Sequence, residues 1–205
     1  MRLILASTSP ARLATLRAAG IEPITFSPGV DEDAVVAAES PQNATETVQL
    51  LARVKAEAVV AEHGEALDGL VLGGDSAFVI DGVIHGKPHD PEVARERWHR
   101  QRGRTGTLFS GHWLIDSRGG NASRAVGVVT NAEVTFADVT DAEIDAYIAT
   151  GEPLKVAGAF TIDSKGGGFI RSIIGDPHTV VGLSLPALRD LVRELGVEWT
   201  DLWNR

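Results

Sequence analysis

The chain has no cysteine among its 205 residues, which removes disulfides, thiol nucleophiles and thiolate metal sites together. Any metal must then be held by oxygen or imidazole ligands. Long apolar runs are missing as well. The opening stretch Leu3-Ile4-Leu5-Ala6 gives way at once to serine and proline, too short for a signal-peptide core or a membrane span, so a soluble cytoplasmic protein is expected. Basic charge is in short supply, with 19 Lys and Arg against 28 Asp and Glu and a formal net charge of -9, which argues against broad electrostatic binding of DNA or RNA. A polyphosphate ligand would need local cations or a metal. The Gly-x-x-x-x-Gly-Lys-Ser/Thr phosphate loop, the Gly-x-Gly-x-x-Gly dinucleotide fingerprint and the Gly-x-Ser-x-Gly elbow are all absent, as are repeats, low-complexity tracts and flexible linkers. The 43% hydrophobic content suffices for a full core, and one domain over residues 1–205 is expected.

What is present begins with Ser7-Thr8-Ser9-Pro10-Ala11-Arg12, where an apolar strand runs into a hydroxyl-rich turn and a helix start. Ser9 suits the N-cap and Pro10 the first helical position, leaving free N–H groups that favour an anion, with Arg12 as a fixed cation one turn in. The same residues also make an ordinary capped turn. Further helices are expected over about Ala44 to Glu62, with Lys55 beside the apolar stripe, from Pro91 to near Gly103, behind the Thr140/Glu143 capping box, and over Ser184 to Leu195. Strands are expected at Pro23 to Ser27, Leu70 to Gly74, Ala77 to Ile80, Thr105 to Asp116, Ser123 to Val139, Phe160 to Asp163 and Phe169 to Ile174, with Asp81-Gly82 as a hairpin turn into Val83-Ile84. Long strands, hairpins and interspersed helices together suggest an α/β fold on a mixed sheet, bent into two lobes around a cleft.

Several residues are equipped for chemistry. Gly73-Gly74-Asp75-Ser76 puts a carboxylate at the expected end of a strand, where glycines allow a ligand close approach, although aspartate also starts turns. Val30-Asp31-Glu32-Asp33 reads as an acidic loop able to bind a hard divalent cation, or simply to be solvated. Lys87 in the stiff turn Gly86-Lys87-Pro88, with Lys55 and Arg104, supplies cations from separate elements. The six histidines show no metal-ligand spacing.

Taken in order, Ser7 to Arg12, Glu32, Ala52-Arg53-Val54-Lys55-Ala56, Gly74-Asp75-Ser76, Gly86-Lys87-Pro88, Gly103-Arg104-Thr105, Gly151-Glu152-Pro153, Ala157-Gly158-Ala159-Phe160 and Val180-Val181-Gly182-Leu183 resemble the Maf family of nucleoside triphosphate pyrophosphatases, a family also associated with septum inhibition. The resemblance covers nearly the whole chain. It implies a bent α/β fold like that of inosine triphosphate pyrophosphatases, a divalent metal such as Mg2+ or Mn2+, and hydrolysis of a nucleoside triphosphate to the monophosphate and pyrophosphate, with a homodimer as the suggested assembly. It also implies roles. Asp75 matches the proton acceptor, Glu32 and Asp75 the metal carboxylates, and Arg12, Lys55 and Lys87 the phosphate contacts. Ser7, Ser9, Ser76 and Asp163 complete the expected substrate set.

The chain departs from the family pattern where the base would be read. Ala11 replaces the first of two arginines, Val156 stands where many members carry lysine, and Thr161-Ile162-Asp163 replaces the Gly-Ile-Gln of pyrimidine-preferring members. An ionised aspartate only accepts hydrogen bonds, which favours donor-rich edges such as those of guanine or cytosine over uracil or thymine. Two other functions use similar residues. Nucleotidyl transfer to a sugar phosphate would need closely spaced glycines where Ser-Thr-Ser-Pro stands, and a nucleotide-binding regulator of cell division would use the same pocket with little turnover.

Overall fold

The computed structural model describes the backbone of residues 1–205 and every side chain but that of Glu65. Seven strands form one mixed sheet, six of them in the order β2-β1-β3-β5-β6-β7 with β4 paired to β3. The chain divides into two compact units, one built from residues 1–75, 110–130 and 182–205 and the other from 76–109 and 131–181.

In the first unit, β1 (Leu3–Ala6) pairs in parallel with β2 (Ile24–Phe26) and with the start of β3 (Leu70–Ile80). Alternate side chains of these strands feed opposite faces of the sheet. Leu3, Leu5, Leu70 and Leu72 join one cluster with Leu16 of α1 (Pro10–Ala18) and Leu188, Leu191 and Val192 of the C-terminal helix Leu185–Glu194. Ile4, Ala6 and Val71 join another with Ala56 and Val59 of α3 (Ala44–His63). Strands covered on both faces explain the unbroken Leu3-Ile4-Leu5-Ala6 and Leu70-Val71-Leu72 runs, which show none of the polar alternation of a half-exposed strand.

The second unit holds the hairpin from β3 into β4 (Val83–His85), turned by Asp81 and Gly82, both at positive φ, and α4 (Pro91–Gln101) capped by Asp90. Two long strands, β5 (Thr105–Asp116) and β6 (Arg124–Phe136), contribute to both units, and β7 (Ile170–Gly175) runs antiparallel to β6. The second core is aromatic. Trp98, fully buried, meets Phe136, Tyr147 and Phe169 edge to face, and its indole N–H donates to Ala159 O at 2.8 Å. Tyr147 comes from α5 (Asp141–Ala149), which starts with the capping box expected at Thr140 and Glu143. No helix among the described residues is long and apolar enough to cross a membrane.

Four expectations need correcting. The acidic stretch is not a loop, because Asp31 accepts from Ala34 N at 3.0 Å and caps α2 (Glu32–Glu39), whose first-turn carboxylates suit a helix N-terminus. Asp75 does not end a strand. The strand continues through Gly73-Gly74-Asp75-Ser76, pairing with β1 as far as Gly73 and with β4 from Phe78 onward. Lys55 lies within the buried face of α3, one turn from Leu51, Ala52 and Val59, rather than beside it. No strand forms over Phe160 to Asp163, where Thr161 instead spends its hydroxyl on the carboxylate of Glu152.

Candidate active site

The first unit gathers Ser7, Ser9, Arg12, Glu32, Lys55 and Asp75 from four separate elements. Two glycines make the gathering possible. A Cβ at Gly73 would lie 2.0 Å from Ala52 O, so α3 runs in direct backbone contact with β3, and Lys55 is carried to Asp75 two residues further along the strand. A Cβ at Gly74 would lie 3.1 Å from Arg12 Nε, so the absence of a side chain there leaves the space the guanidinium fills.

Lys55 Nζ lies 2.7 Å from Asp75 Oδ1 and 2.8 Å from Glu32 Oε1, joining a buried carboxylate to one that is 45% exposed. Burial pushes the Asp75 carboxyl above the ordinary carboxylate range, while Lys55 and Arg12 pull it back. Arg12 is itself buried, which lowers its pKa against the opposing pull of Asp75 and Glu32. Its Nε donates to Gly182 O at 2.8 Å and its Nη1 to Ser7 Oγ at 3.2 Å. Ser7 Oγ also accepts from Ser9 N at 3.1 Å, and Ser9 Oγ accepts from Arg12 N at 3.4 Å as the expected N-cap. The hydroxyls of the turn thus shape the turn and steady the arginine.

Two contributors escaped the sequence reading. Gly182 supplies the carbonyl that orients Arg12, and the turn carrying it is fastened by Ser184 N donating to the buried His112 Nε2 at 2.9 Å. The Val180 to Leu183 motif signalled that something is required there but not a backbone acceptor. Ser76, Lys87 and Asp163 belong to the second unit. Ser76 is the strand residue after Asp75, Lys87 is exposed in the turn after β4, and Asp163 is exposed before a 3₁₀ turn at Lys165–Phe169.

Among the described residues, no three acidic, histidine or cysteine side chains converge as a ready-made metal cage. Glu32 and Asp75, both held on Lys55, nevertheless fit a hard cation of the magnesium type, which is commonly bound by one or two carboxylates with substrate phosphates and water completing the shell.

A carboxylate of raised pKa, an ammonium, a guanidinium and a helix start gather just past Ala6 and Gly73, where the parallel pairing of β1 with β3 stops, in a mixed α/β protein, and chemically this set suits an anionic, oxygen-rich ligand. The family model described as Maf-like protein matches residues 2–195, and the chain belongs to that family. A protein of Leifsonia xyli named nucleoside triphosphate pyrophosphatase is 70% identical, covering 100% of this chain and 98% of its own. One of Salinispora tropica with the same name is 53% identical over 100% of this chain and 88% of its own. Among solved structures, the Staphylococcus aureus Ham1 protein superposes with a TM-score of 0.43 at 11% identity, covering 95% of this chain and 96% of that one.

Proposed function

We propose that this protein is a nucleoside triphosphate pyrophosphatase, hydrolysing the bond between the α and β phosphates to release a nucleoside monophosphate and pyrophosphate. The observation that carries the proposal is the Glu32–Lys55–Asp75 cluster, its lysine and aspartate enclosed and its glutamate open to solvent, together with the buried Arg12, in a chain whose relatives bear that name. Asp75 is assigned the proton of the attacking water. A carboxyl whose pKa is raised by burial is a better base than a solvated one, and its contact with Lys55 holds it in one orientation. The Lys55 ammonium has three donors, of which two engage the carboxylates, and the proposal gives the third to a phosphate oxygen. Arg12 adds a fixed positive charge where the leaving pyrophosphate gathers negative charge, its direction set by Gly182 and Ser7.

Glu32 and Asp75 are the residues that would hold a divalent cation, and such an ion would neutralise phosphate charge and polarise the attacked phosphoryl group. Ser76 and Lys87 are proposed as further substrate contacts because they match the family pattern, and Asp163 because it stands at the position of the glutamine in pyrimidine-preferring members. The test is release of pyrophosphate by the purified protein across common and modified nucleoside triphosphates, with Asp75→Asn alongside. That variant should lose about two or more powers of ten in kcat, the scale of general-base loss, while keeping the parent's circular dichroism. Normal turnover by the variant would remove Asp75 from the role.

A further inference from the structure

The carboxylate of Glu152, outside the cluster described above, collects an unusual set of donors. Its Oε1 accepts from Thr161 Oγ1 at 2.5 Å, from Gly166 N at 3.0 Å and from Tyr147 Oη at 3.1 Å. Its Oε2 accepts from Ser164 Oγ at 2.9 Å and Lys165 N at 3.4 Å, with Lys165 Nζ 4.0 Å away. Apart from Tyr147, every one of these donors belongs to residues 161–166, and Tyr147 Oη itself lies 3.3 Å from Thr161 Oγ1. The anchors fall on both sides of Asp163, whose own side chain is exposed between them. A carboxylate is costly to bury and contributes little packing, so a position serving only the core would be filled by an apolar residue. Here four of the five hydrogen bonds to the group come from one loop, and the fifth comes from Tyr147, which touches that loop itself. The 3₁₀ turn that carries Glu152, Glu152–Lys155, offers Leu154 O to His89 N at 3.0 Å, and Gly158 N of the next turn, Ala157–Ala159, donates to Gly86 O at 3.3 Å, so these two turns also brace the segment bearing Lys87.

We infer that Glu152 is a positioning residue for substrate recognition, fixing the 161–166 loop so that Asp163 meets the nucleobase in one conformation. This rests on the pyrophosphatase reading above. A loop held by one carboxylate becomes mobile when that carboxylate is lost, and a nucleobase contact made from a mobile loop is lost from binding before it is lost from chemistry.

The experiment compares the parent, Glu152→Gln and Ser164→Ala by amide hydrogen exchange and by kcat and KM over a nucleoside triphosphate panel, at temperatures well below each unfolding midpoint. Glutamine keeps the shape but replaces one acceptor oxygen with a donor amide, which cannot satisfy the N–H groups of Lys165 or Gly166 on that side. The expected result for Glu152→Gln is faster exchange confined to residues 161–167, a rise of roughly tenfold in KM for the preferred nucleotide and kcat within about twofold of the parent. Ser164→Ala should move the same quantities less, and it carries the test with Thr161→Val if Glu152→Gln does not fold. Unchanged exchange in the loop overturns the inference, as does faster exchange with KM and nucleotide preference unmoved, or a fall in kcat at constant KM. Each of those results leaves the pyrophosphatase reading standing. Failure of the parent to release pyrophosphate from any nucleotide overturns both.

Discussion

Adjacent glycines offer a test in which one substitution, made at neighbouring positions, should damage two different things. At Gly73 an added Cβ would be 2.0 Å from Ala52 O and 2.9 Å from Ala56 N, both backbone atoms of α3. The first contact is about 1.5 Å inside the ~3.5 Å at which nonbonded heavy atoms attract, and no side-chain rotation relieves it. The helix must move. Overpacking of this kind costs about 1–3 kcal/mol or more, and for a chain of this size each kcal/mol lowers Tm by roughly 2–4 °C, so Gly73→Ala should lose about 5–10 °C. At Gly74 the Cβ would instead meet the Arg12 side chain, 3.1 Å from Nε and 3.5 Å from Cζ. A shift of a few tenths of an ångström by the guanidinium relieves the contact, at the expense of its 2.8 Å bond to Gly182 O. Gly74→Ala should therefore keep its Tm within about 2 °C of the parent while losing the worth of a charge-assisted hydrogen bond, about 1.5–3 kcal/mol in kcat/KM, or roughly tenfold to a hundredfold. Calorimetry and a pyrophosphate-release assay on both variants decide the matter. A Gly73→Ala protein as stable as the parent, or a Gly74→Ala protein of full activity, would refute the account of how the cluster is assembled.

Excess chelator should abolish pyrophosphate release and added Mg2+ or Mn2+ restore it; full activity in chelator would show that Glu32 and Asp75 hold no essential ion. Burial raises the pKa of Glu152, but the Thr161, Ser164 and Tyr147 hydroxyls and the Gly166 N–H outweigh it and bring the carboxyl down from 4.5 to about 2. Its folded pKa lies below its unfolded one, so its contribution, at most about 3 kcal/mol, is complete above pH 4.5 and lost as pH falls toward 2. The stability gap between parent and Glu152→Gln should close over that window, and a gap independent of pH would refute the assignment. Asp163→Gln should shift kcat/KM toward UTP or dTTP by roughly tenfold or more, the scale set by an unpaired buried polar group; a parent that already prefers those nucleotides would defeat the base argument.

The elements most legible in the sequence were those with local chemistry of their own. Ser9-Pro10, Asp90-Pro91 and Thr140 with Glu143 each announce a helix start through a cap that acts within three residues, and all three helices begin there. The acidic turn was misread because Asp31 looks alike as a metal ligand and as an N-cap, and only the hydrogen bond to Ala34 N separates the two. Lys55 was placed beside its apolar stripe because a lone charge reads as exposed, whereas its partners Glu32 and Asp75 come from elsewhere in the chain. The Gly73-Gly74 pair was visible as permissive backbone. What each glycine admits, a helix in one case and a guanidinium in the other, depends on segments that no local pattern connects to it.

The bond from Arg12 to Gly182 links residues 170 positions apart, and the unit that contains it is interrupted twice by segments of the other. On a ribosome adding about 5–20 residues each second, roughly ten to thirty seconds separate the emergence of the arginine from that of its anchor. The hydroxyl-rich turn, the lysine of α3 and Asp75 are all made early, yet the guanidinium acquires its final direction only after the intervening unit has been synthesised. The cluster is in this sense timed as well as located, and it is completed with one of the last turns of the chain to be made.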